Sequence, residues 1–322
     1  MRLEYGVNVG GTESFRFAMN KSPFGRGCNA QTLPKELRYY LVPPPGRVFV
    51  EGDLSQVEAR TVAYLSRCKD LIELFNDPTR HAHSENAIAV FGHPVEKDSP
   101  EYVLAKQLVH ASHYREGPWK FAVSTGLPMP VARRMMATYH AKRPEIHRWH
   151  DWVWEKVKST GKLSTPLGDT RTFYEAIACF SMTGKMTDQQ WKDAIAWVPQ
   201  TITPHLTNLG ILAMDKELGD SVWWHHQGHD SFLLSTEVEN VEKVAGIAVS
   251  CFRIPLCVWG VEFTVPLELS VGWSSGDGMP YTGGRVTQRQ WNNYVAKKLA
   301  TRSREERILQ GTYGVHLKDW RP

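Results

Sequence analysis

Two aspartates of this sequence, Asp53 and Asp230, stand where carboxylates could bind a metal ion. Asp53 ends a predicted two-sided apolar strand, Arg47 to Asp53, whereas Asp230 lies at the tip of a predicted hairpin. Carboxylates about 4 Å apart repel each other by about 4 kcal/mol at an effective dielectric constant of about 20, which raises one pKa or requires a cation. Mg²⁺ prefers oxygen ligands, and two such ions can stabilise the attacking and leaving oxygens of a phosphoryl displacement. The alternative is that one aspartate caps a helix and the other occupies a turn.

A second set of side chains, Lys106, His110 and Tyr114, recurs every four residues. A helix in this region would therefore place an ammonium, an imidazole and a phenol on one face. Such a face could bind a nucleotide, with Lys106 against the triphosphate and the two rings against sugar and base. The alternative is a helix face packed in the core, with the Lys106 ammonium reaching to solvent.

Hydrophobic periodicity predicts the elements that position these residues. The chain before Gly46 is interpreted as irregular, and the rising Gly, Ser and Pro content predicts that the core ends after Trp273. Helices are predicted from Ser55 to Phe75 and over His83–Phe91, Glu101–Tyr114, Val131–His140, Trp149–Lys158, Val238–Phe252 and, with interruptions at Pro199 and Pro204, Thr187–Leu218. Strands are predicted over Val222–His226, Ser231–Leu234 and Val258–Glu268, with a hairpin in Lys162–Tyr174 whose turn is Gly168-Asp169.

Composition and charge limit the class of protein. The 322 residues are 42% hydrophobic and 22% charged, which excludes overall disorder and predicts roughly two domains. No apolar run approaches the ~18 residues of a membrane span, so a cytoplasmic protein with no membrane partner is expected. Five cysteines without C-x-x-C spacing argue against a disulfide framework and a thiolate zinc site. Residues 276–322 carry nine Lys/Arg against four acids, a basic tail that fits a phosphate-rich partner or is simply solvated.

The segment around Asp53 resembles motif A of the family A DNA polymerases, the bacterial polymerase I type. EGDLSQVEAR (Glu51–Arg60) has the Ser-Gln-x-Glu-x-Arg pattern directly after the strand-ending aspartate. AKQLVHASHYREG (Ala105–Gly117) is similar to motif B, and Gln227-Gly228-His229-Asp230 is similar to motif C. Further landmarks occur in the family's order: Arg16, Asn29–Pro34, His83 with Ala87 and Val90–Gly92, and Val198–Thr201. The resemblance covers about residues 12 to 273.

The resemblance implies an α+β fold, a polymerase right hand with an antiparallel palm sheet and helical fingers but no thumb. The implied parts are a first palm segment with motif A (1–75), fingers with motif B (76–180), a second palm segment with motif C (181–275) and the basic tail (276–322). The implied activity is template-directed DNA synthesis, in which a primer 3′-hydroxyl attacks a dNTP with two Mg²⁺ ions as cofactors.

The family's site residues carry over position by position. Asp53 and Asp230 would be the catalytic, metal-binding carboxylates, with the backbone carbonyl of Leu54 as a further ligand. Glu58 would be the steric gate that excludes a 2′-hydroxyl, which implies deoxynucleotide use. The implied nucleotide-binding residues are His83, Lys106, His110, Tyr114, Glu58 and Gln56, and the implied primer–template contacts are Arg16, Asn29, Gln31, Gln200, Gln227 and His229. Contacts to DNA backbone and minor groove are nearly sequence-independent, as copying requires.

Four positions depart from the family's pattern. Tyr102 replaces the motif B arginine, which removes a guanidinium that would bind phosphate oxygens and should weaken triphosphate affinity. His110 stands where Phe or Tyr is usual, and Ala111 replaces a glycine. Ser231 follows Asp230 where most members have Glu, and His-Asp-Ser resembles the related single-subunit RNA polymerases.

Motif A begins near residue 53, whereas in the family several hundred residues precede it. We therefore expect the C-terminal part of a split polymerase that needs an N-terminal, thumb-bearing partner subunit, because a thumb supplies much of the grip on duplex DNA. One alternative is a catalytically weak DNA-binding replication subunit derived from a polymerase palm. Another is a zinc protein that uses His81, His83, His110 and His113.

Overall fold

The computed structural model describes residues 5–9, 11–22, 24–25, 27–38, 40–96 and 99–297. Residues 298–322, which make up most of the predicted basic tail, lie outside the described residues. The strands are β1 (Gly6–Asn8), β2 (Ala18–Asn20), β3 (Arg47–Leu54), β4 (Lys162–Ser164), β5 (Thr170–Thr172), β6 (Trp223–Gln227), β7 (Ser231–Glu237), β8 (Leu256–Val258), β9 (Val261–Phe263), β10 (Leu267–Gly272) and β11 (Met279–Pro280). The helices are α1 (Lys35–Arg38), α2 (Val57–Ser66), α3 (Lys69–Asn76), α4 (Ala82–Phe91), α5 (Pro100–His113), α6 (Pro118–Thr125), α7 (Met129–Lys142), α8 (Pro144–Thr160), α9 (Tyr174–Thr183), α10 (Asp188–Leu218) and α11 (Val241–Cys251), and residues 288–297 are also helical.

Strand β3 is the centre of a five-stranded antiparallel sheet with the order β11-β10-β3-β7-β6. Its Val48 and Val50 are fully buried and Phe49 is nearly so, as expected for a strand covered on both faces. The predicted strand from Arg47 to Asp53 and the α+β fold class are confirmed. Asp53 pairs in register with Ser231 of β7 on one side and Glu268 of β10 on the other.

Two hydrophobic clusters hold the chain together. The larger one joins the sheet to α2, α8, α10 and α11 and contains Val50, Ile202 and Leu234. The smaller one spans helices α2 to α8 and contains Leu108 and Ile146. The predicted part boundaries at residues 75, 180 and 275 stay a prediction.

Helix α10 corrects one prediction. Pro199 and Pro204 were expected to interrupt it, because an interior proline costs about 3 kcal/mol in a helix. The helix instead runs unbroken from Asp188 to Leu218, and both prolines are buried in it. Thr187 and Gln190 form a reciprocal capping box at its start. Burial of most side chains between Ala194 and Thr207, the stretch that contains both prolines, therefore outweighs the local proline penalty.

The predicted final strand, Val258–Glu268, is wrong as a single element. The chain reverses at Trp259 and Gly260, whose φ angles are 52° and 77°, so that β8 and β9 form a hairpin before β10 begins. The prediction that the core ends after Trp273 is also wrong. Val286 belongs to the larger cluster, and the Trp291 indole donates a hydrogen bond to the Asp277 carbonyl at 2.8 Å.

Other predicted elements are close to those observed. Helices α4, α5, α7, α8 and α11, the β4–β5 hairpin and the β6–β7 hairpin lie where periodicity places them. Helices α6 and α9 and the helix at residues 288–297 were not predicted, and neither were β1, β2 and α1 in the segment before Gly46 that was expected to be irregular. Among the described residues, no helix has the length and apolar character to cross a membrane.

Gly52 lets the sheet pack closely beside the predicted catalytic aspartate. A Cβ at this position would lie 2.3 Å from Cε1 of Phe232 on β7. We expect Gly52→Ala to lower the free energy of unfolding by about 1–3 kcal/mol, because the ring must leave its position in a packed core. Denaturant unfolding measures this change. Gly246→Ala, on the exposed side of α11 with no atom within 4 Å, is the control and should be neutral or stabilising by up to about 1 kcal/mol. Equal stability of the two variants would contradict the prediction.

Candidate functional site

The sheet brings Asp53 and Asp230 to one end of neighbouring strands. Asp230 lies in the turn between β6 and β7, and the backbone N–H of Leu54 donates a hydrogen bond to its carbonyl oxygen at 2.8 Å. Partial burial and the negative charges of Asp230, Glu268 and Glu51 raise the pKa of Asp53 to about 7, while Lys106 opposes the shift. The donor set here consists of oxygens, which suits Mg²⁺. A cation bound beside Asp53 would relieve the repulsion between its carboxylate and the neighbouring carboxylates.

A sharp strand–turn–helix transition follows Asp53 at the end of the central strand β3. Gln56 adopts a left-handed conformation (φ 51°, ψ 39°), after which α2 begins at Val57. The Ser55 N–H donates to the carbonyl of Pro266 at 2.9 Å, and its hydroxyl donates to Glu268 at 2.6 Å. Arg60 also stabilises the turn, because its Nε donates a hydrogen bond to the Ser55 carbonyl at 2.9 Å.

Glu58, the predicted steric gate, is held from two directions. Arg16 Nη2 donates to Glu58 Oε1 at 2.6 Å, and the Tyr114 hydroxyl donates to Glu58 Oε2. Burial first, and then the Glu58 carboxylate, raise the pKa of Tyr114 well above its usual value of 10. The Glu58 side chain is one quarter exposed, so part of it remains accessible to solvent. The structure thus unites three predicted site residues from the N-terminal segment, α2 and the end of α5.

Helix α5 presents Lys106 and His110 to solvent, and the His110 and Tyr114 rings meet edge to face with centroids 4.8 Å apart. Lys106 and His110 are therefore not packed in the core, whereas Tyr114 packs against the larger hydrophobic cluster, so the alternative of a core-packed face holds only for Tyr114. His83 of α4 contacts Tyr102, which lies one helical turn before Lys106 on α5, with ring centroids 5.8 Å apart. Burial, followed by the Lys106 charge, lowers the pKa of His83 to about 4. His83 is therefore neutral at pH 7 and can offer an N–H donor, not a positive charge, to a phosphate.

Besides Arg16, which is bound to Glu58, five residues are predicted to contact DNA. Gln31, Gln227 and His229 lie together, since Gln31 Nε2 donates to the Gln227 carbonyl at 3.5 Å and α10 holds the loop. Two residues of α10 that sequence reasoning missed do this: Asn208 Oδ1 accepts from Gln227 Nε2 at 3.1 Å, and the buried Thr207 hydroxyl donates to the His229 carbonyl at 3.0 Å. No pattern in the sequence marks either residue.

Asn29 adjoins these residues, whereas Gln200 lies apart from them. Asn29 Oδ1 accepts the backbone N–H of Gln31 at 3.0 Å and caps a short 3₁₀ helix, Ala30–Thr32. Gln200 is half-buried on α10, and within the described ranges no hydrogen bond or ion pair joins it to the other predicted residues.

Several predicted site residues hold buried polar atoms that lack a hydrogen-bond partner among the residues the structure describes. They are Arg16 Nε, Gln56 Oε1, His83 Nδ1, Gln227 Oε1 and His229 Nδ1. Leaving such an atom unpaired costs about 1–3 kcal/mol, so these atoms are suited to a polar ligand.

Comparison with known proteins decides the family. The model of DNA polymerase family A matches residues 19–277, which is most of the chain and includes the three motifs described above. This chain belongs to DNA polymerase family A.

Individual family A relatives are distant and longer. The DNA polymerase of Mycobacterium phage D29 is 29% identical over 44% of this chain and 24% of its own length. DNA polymerase I of Chloroflexus aurantiacus is 24% identical over 84% of this chain and 29% of its own length. The solved POL domain of Pol1 from M. smegmatis, in complex with DNA primer-template and dNTP, is similar with a TM-score of 0.72 and 20% identity over 85% of this chain. The chain spans about half of that structure and under a third of these curated relatives.

The family assignment leaves the zinc alternative without support. The described part of the chain contains no group of three or more His, Cys, Asp or Glu that could hold a metal ion. His113 is buried, and its Nε2 lies 2.9 Å from the Tyr139 hydroxyl. Burial lowers the pKa of His113 well below 6.5, as expected for a neutral core histidine.

Proposed function

We propose that this family A chain carries the nucleotidyl-transfer site of a template-directed DNA polymerase. The observation that supports it most is the meeting of Asp53 and Asp230 beside Lys106, where like charges and burial raise the pKa of Asp53 to about 7. Family members generally use Mg²⁺, and the oxygen donors of Asp53, Asp230 and Leu54 fit it. When bound, Mg²⁺ would supply positive charge for the attacking and leaving oxygens of the displacement.

The chain's own residues would bind and orient the substrates. Lys106 would attract the triphosphate, and His83 would add a neutral N–H donor. His110 and Tyr114 would lie against sugar and base, and Glu58, held by Arg16 and Tyr114, would occupy the space of a 2′-hydroxyl.

Primer and template would lie along Arg16, Gln227 and His229, whose buried polar atoms lack a hydrogen-bond partner among the described residues. Arg16, Gln227 and His229 keep a free donor or acceptor inside the described structure. Arg16 Nε, and His229 Nδ1 when it carries the proton, could donate to a minor-groove acceptor or a backbone oxygen, whereas Gln227 Oε1 could only accept, as from the guanine 2-amino group. The structural neighbour is itself a POL domain in complex with DNA primer-template and dNTP.

Primer extension by the purified full chain tests the proposal. A labelled primer–template, Mg²⁺ and dNTPs should give products one or more nucleotides longer than the primer. A second reaction adds a thumb-bearing N-terminal half of a family A polymerase. Extension only with this addition would support the predicted partner subunit, whereas DNA binding without extension in both reactions would favour the non-catalytic DNA-binding subunit.

Tyr102→Arg tests the departure in motif B. Position 102 lies one helical turn before Lys106 on α5, and its ring contacts His83. An arginine should lower the KM for dNTP roughly tenfold, because charge-assisted hydrogen bonds to phosphate contribute about 1.5–3 kcal/mol. Steady-state extension kinetics measure the change. Tyr102→Phe keeps the ring against His83 and should leave KM unchanged, and an unaltered KM in the arginine variant would contradict the prediction.

A further inference from the structure

The turn that ends α5 has an arginine at a position that glycine usually occupies. Arg115 follows Tyr114 with a left-handed backbone (φ 55°), and the Glu116 N–H donates to the Ala111 carbonyl at 2.8 Å. This hydrogen bond is that of a Schellman cap, whose left-handed residue is usually glycine because a Cβ is disfavoured there. A larger residue keeps this conformation only where contacts from its surroundings compensate for the strain.

The compensating contacts of Arg115 come from the start of α10. Its guanidinium lies over the Trp191 indole, with Cζ 3.6 Å from the ring centroid, and forms an ion pair with Asp188. The indole is itself fixed, because its Nε1 donates to the His150 carbonyl on α8 at 3.0 Å. A planar guanidinium on an aromatic face gains both stacking and cation–π attraction. Arg115 therefore connects the end of α5 to α10.

This connection fixes the backbone next to Tyr114. On the other side of Tyr114, the His113 carbonyl accepts a hydrogen bond from His150 Nε2 at 2.9 Å. The Tyr114 ring packs against the larger hydrophobic cluster, and its hydroxyl donates to Glu58. The direction of that hydroxyl therefore depends on a backbone that α8 holds before Tyr114 and Arg115 holds after it.

A second cation at the start of α10 does not make this connection. Lys192 Nζ lies 2.7 Å from Asp188 Oδ2. Both residues of this pair belong to α10 and are four positions apart, so the pair stabilises the helix itself. The guanidinium of Arg115 is what joins Asp188 and Trp191 to the turn after α5.

We propose that Arg115 is a positioning residue for sugar selection, because its contacts with Trp191 and Asp188 hold the turn that directs the Tyr114 hydroxyl onto Glu58. This inference rests on the proposed function, in which Glu58 occupies the space of a 2′-hydroxyl. Arg115 does not touch the nucleotide in this proposal. Its effect reaches the substrate through Tyr114 and Glu58.

The ratio of kcat/KM for dNTP and rNTP in primer extension by the full chain tests this role. Arg115→Gln removes the stacking and the ion pair but keeps a long polar side chain at the turn. We expect the ratio to fall about fivefold, the change that loss of one partly exposed cation–π contact would give. Arg148→Gln is the matched control. Arg148 is an exposed arginine of α8 paired with Glu145, and its replacement should leave the ratio unchanged.

A double substitution tests whether Arg115 acts through Tyr114. Tyr114→Phe lacks the hydroxyl, so the addition of Arg115→Gln should change the ratio by less than about twofold. The same variants give a measurement without turnover, by denaturant unfolding. Tyr114→Phe should lower the free energy of unfolding of the Arg115→Gln protein by at most about half of the loss in wild type, because the hydrogen bond to Glu58 is already weakened.

The outcomes separate this inference from the proposed function. A wild-type ratio in Arg115→Gln would overturn the role of Arg115. A loss in the double variant equal to the product of the two single losses would also overturn it, because Arg115 would then act independently of Tyr114. An unchanged ratio in Glu58→Ala would instead reject the steric gate, and the role in sugar selection with it. If wild type extends no primer, the proposed function fails, and additive losses in unfolding free energy would then also overturn the link between Arg115 and Tyr114.

Discussion

Asp53→Asn and Asp230→Asn are each expected to abolish primer extension, with a loss of about 10³-fold or more. Each substitution removes one carboxylate from a site that must hold positive charge against the reacting phosphate, an effect of about 4 kcal/mol on the barrier. Asp53→Asn should at the same time stabilise the folded protein. The negative charges of Asp230, Glu268 and Glu51 repel the ionised carboxylate of Asp53. A neutral amide at this position removes that repulsion.

Extension kinetics and denaturant unfolding on the same variants measure both effects. Glu262→Gln is the matched control, because Glu262 lies exposed on β9 and should change neither quantity. An Asp53→Asn variant that extends primers at the wild-type rate would reject the proposed site. A variant that is inactive because it is less stable would contradict the electrostatic account.

Glu58→Ala is expected to reduce the discrimination between deoxynucleotides and ribonucleotides by about 10²-fold. Glu58 lies at the first turn of α2 and is held by Arg16 and Tyr114, so its carboxylate cannot easily move aside for a 2′-hydroxyl. Truncation removes the group that fills this space, and a change of about 3 kcal/mol between competing substrates corresponds to about 10²-fold. The ratio of kcat/KM for dNTP and rNTP measures it.

Tyr114→Phe separates the space that the Glu58 carboxylate fills from the way in which Tyr114 orients it. It removes the hydroxyl that donates to Glu58 but leaves both the carboxylate and the Arg16 ion pair in place. Discrimination should fall in this variant, but by less than in Glu58→Ala. If Glu58→Ala retained the wild-type ratio, the steric-gate role would be refuted even if the enzyme extends primers.

Local sequence patterns were sufficient to predict the strand and the hairpin that carry Asp53 and Asp230. The apolar run before Asp53 and the two short runs around Asp230 have the period of strands, and β3, β6 and β7 lie there. The order of the three motifs was sufficient for the family, which the match over residues 19–277 confirms.

Other elements were missed for identifiable reasons. No helix was predicted between Tyr114 and Val131, but Pro118 occupies the first turn of α6, where its missing N–H costs nothing. Gly126 then ends that helix in a left-handed conformation, so the signal was present. Helix α10 is the opposite case, because its prolines gave a correct local signal that burial overrides.

By itself, the sequence determined the family and placed Asp53 at the end of a strand and Asp230 in a hairpin turn, since strand period, turn chemistry and motif spacing are properties of short segments. Only the tertiary structure decided that Glu58 is held by Arg16 and Tyr114, that His83 is neutral, and that Glu268 stands opposite Asp53. The physical reason is that sheet register, burial and the sum of neighbouring charges arise from residues far apart in the chain. A one-residue shift of β10 would turn Glu268 to the other face, and no local pattern determines that register.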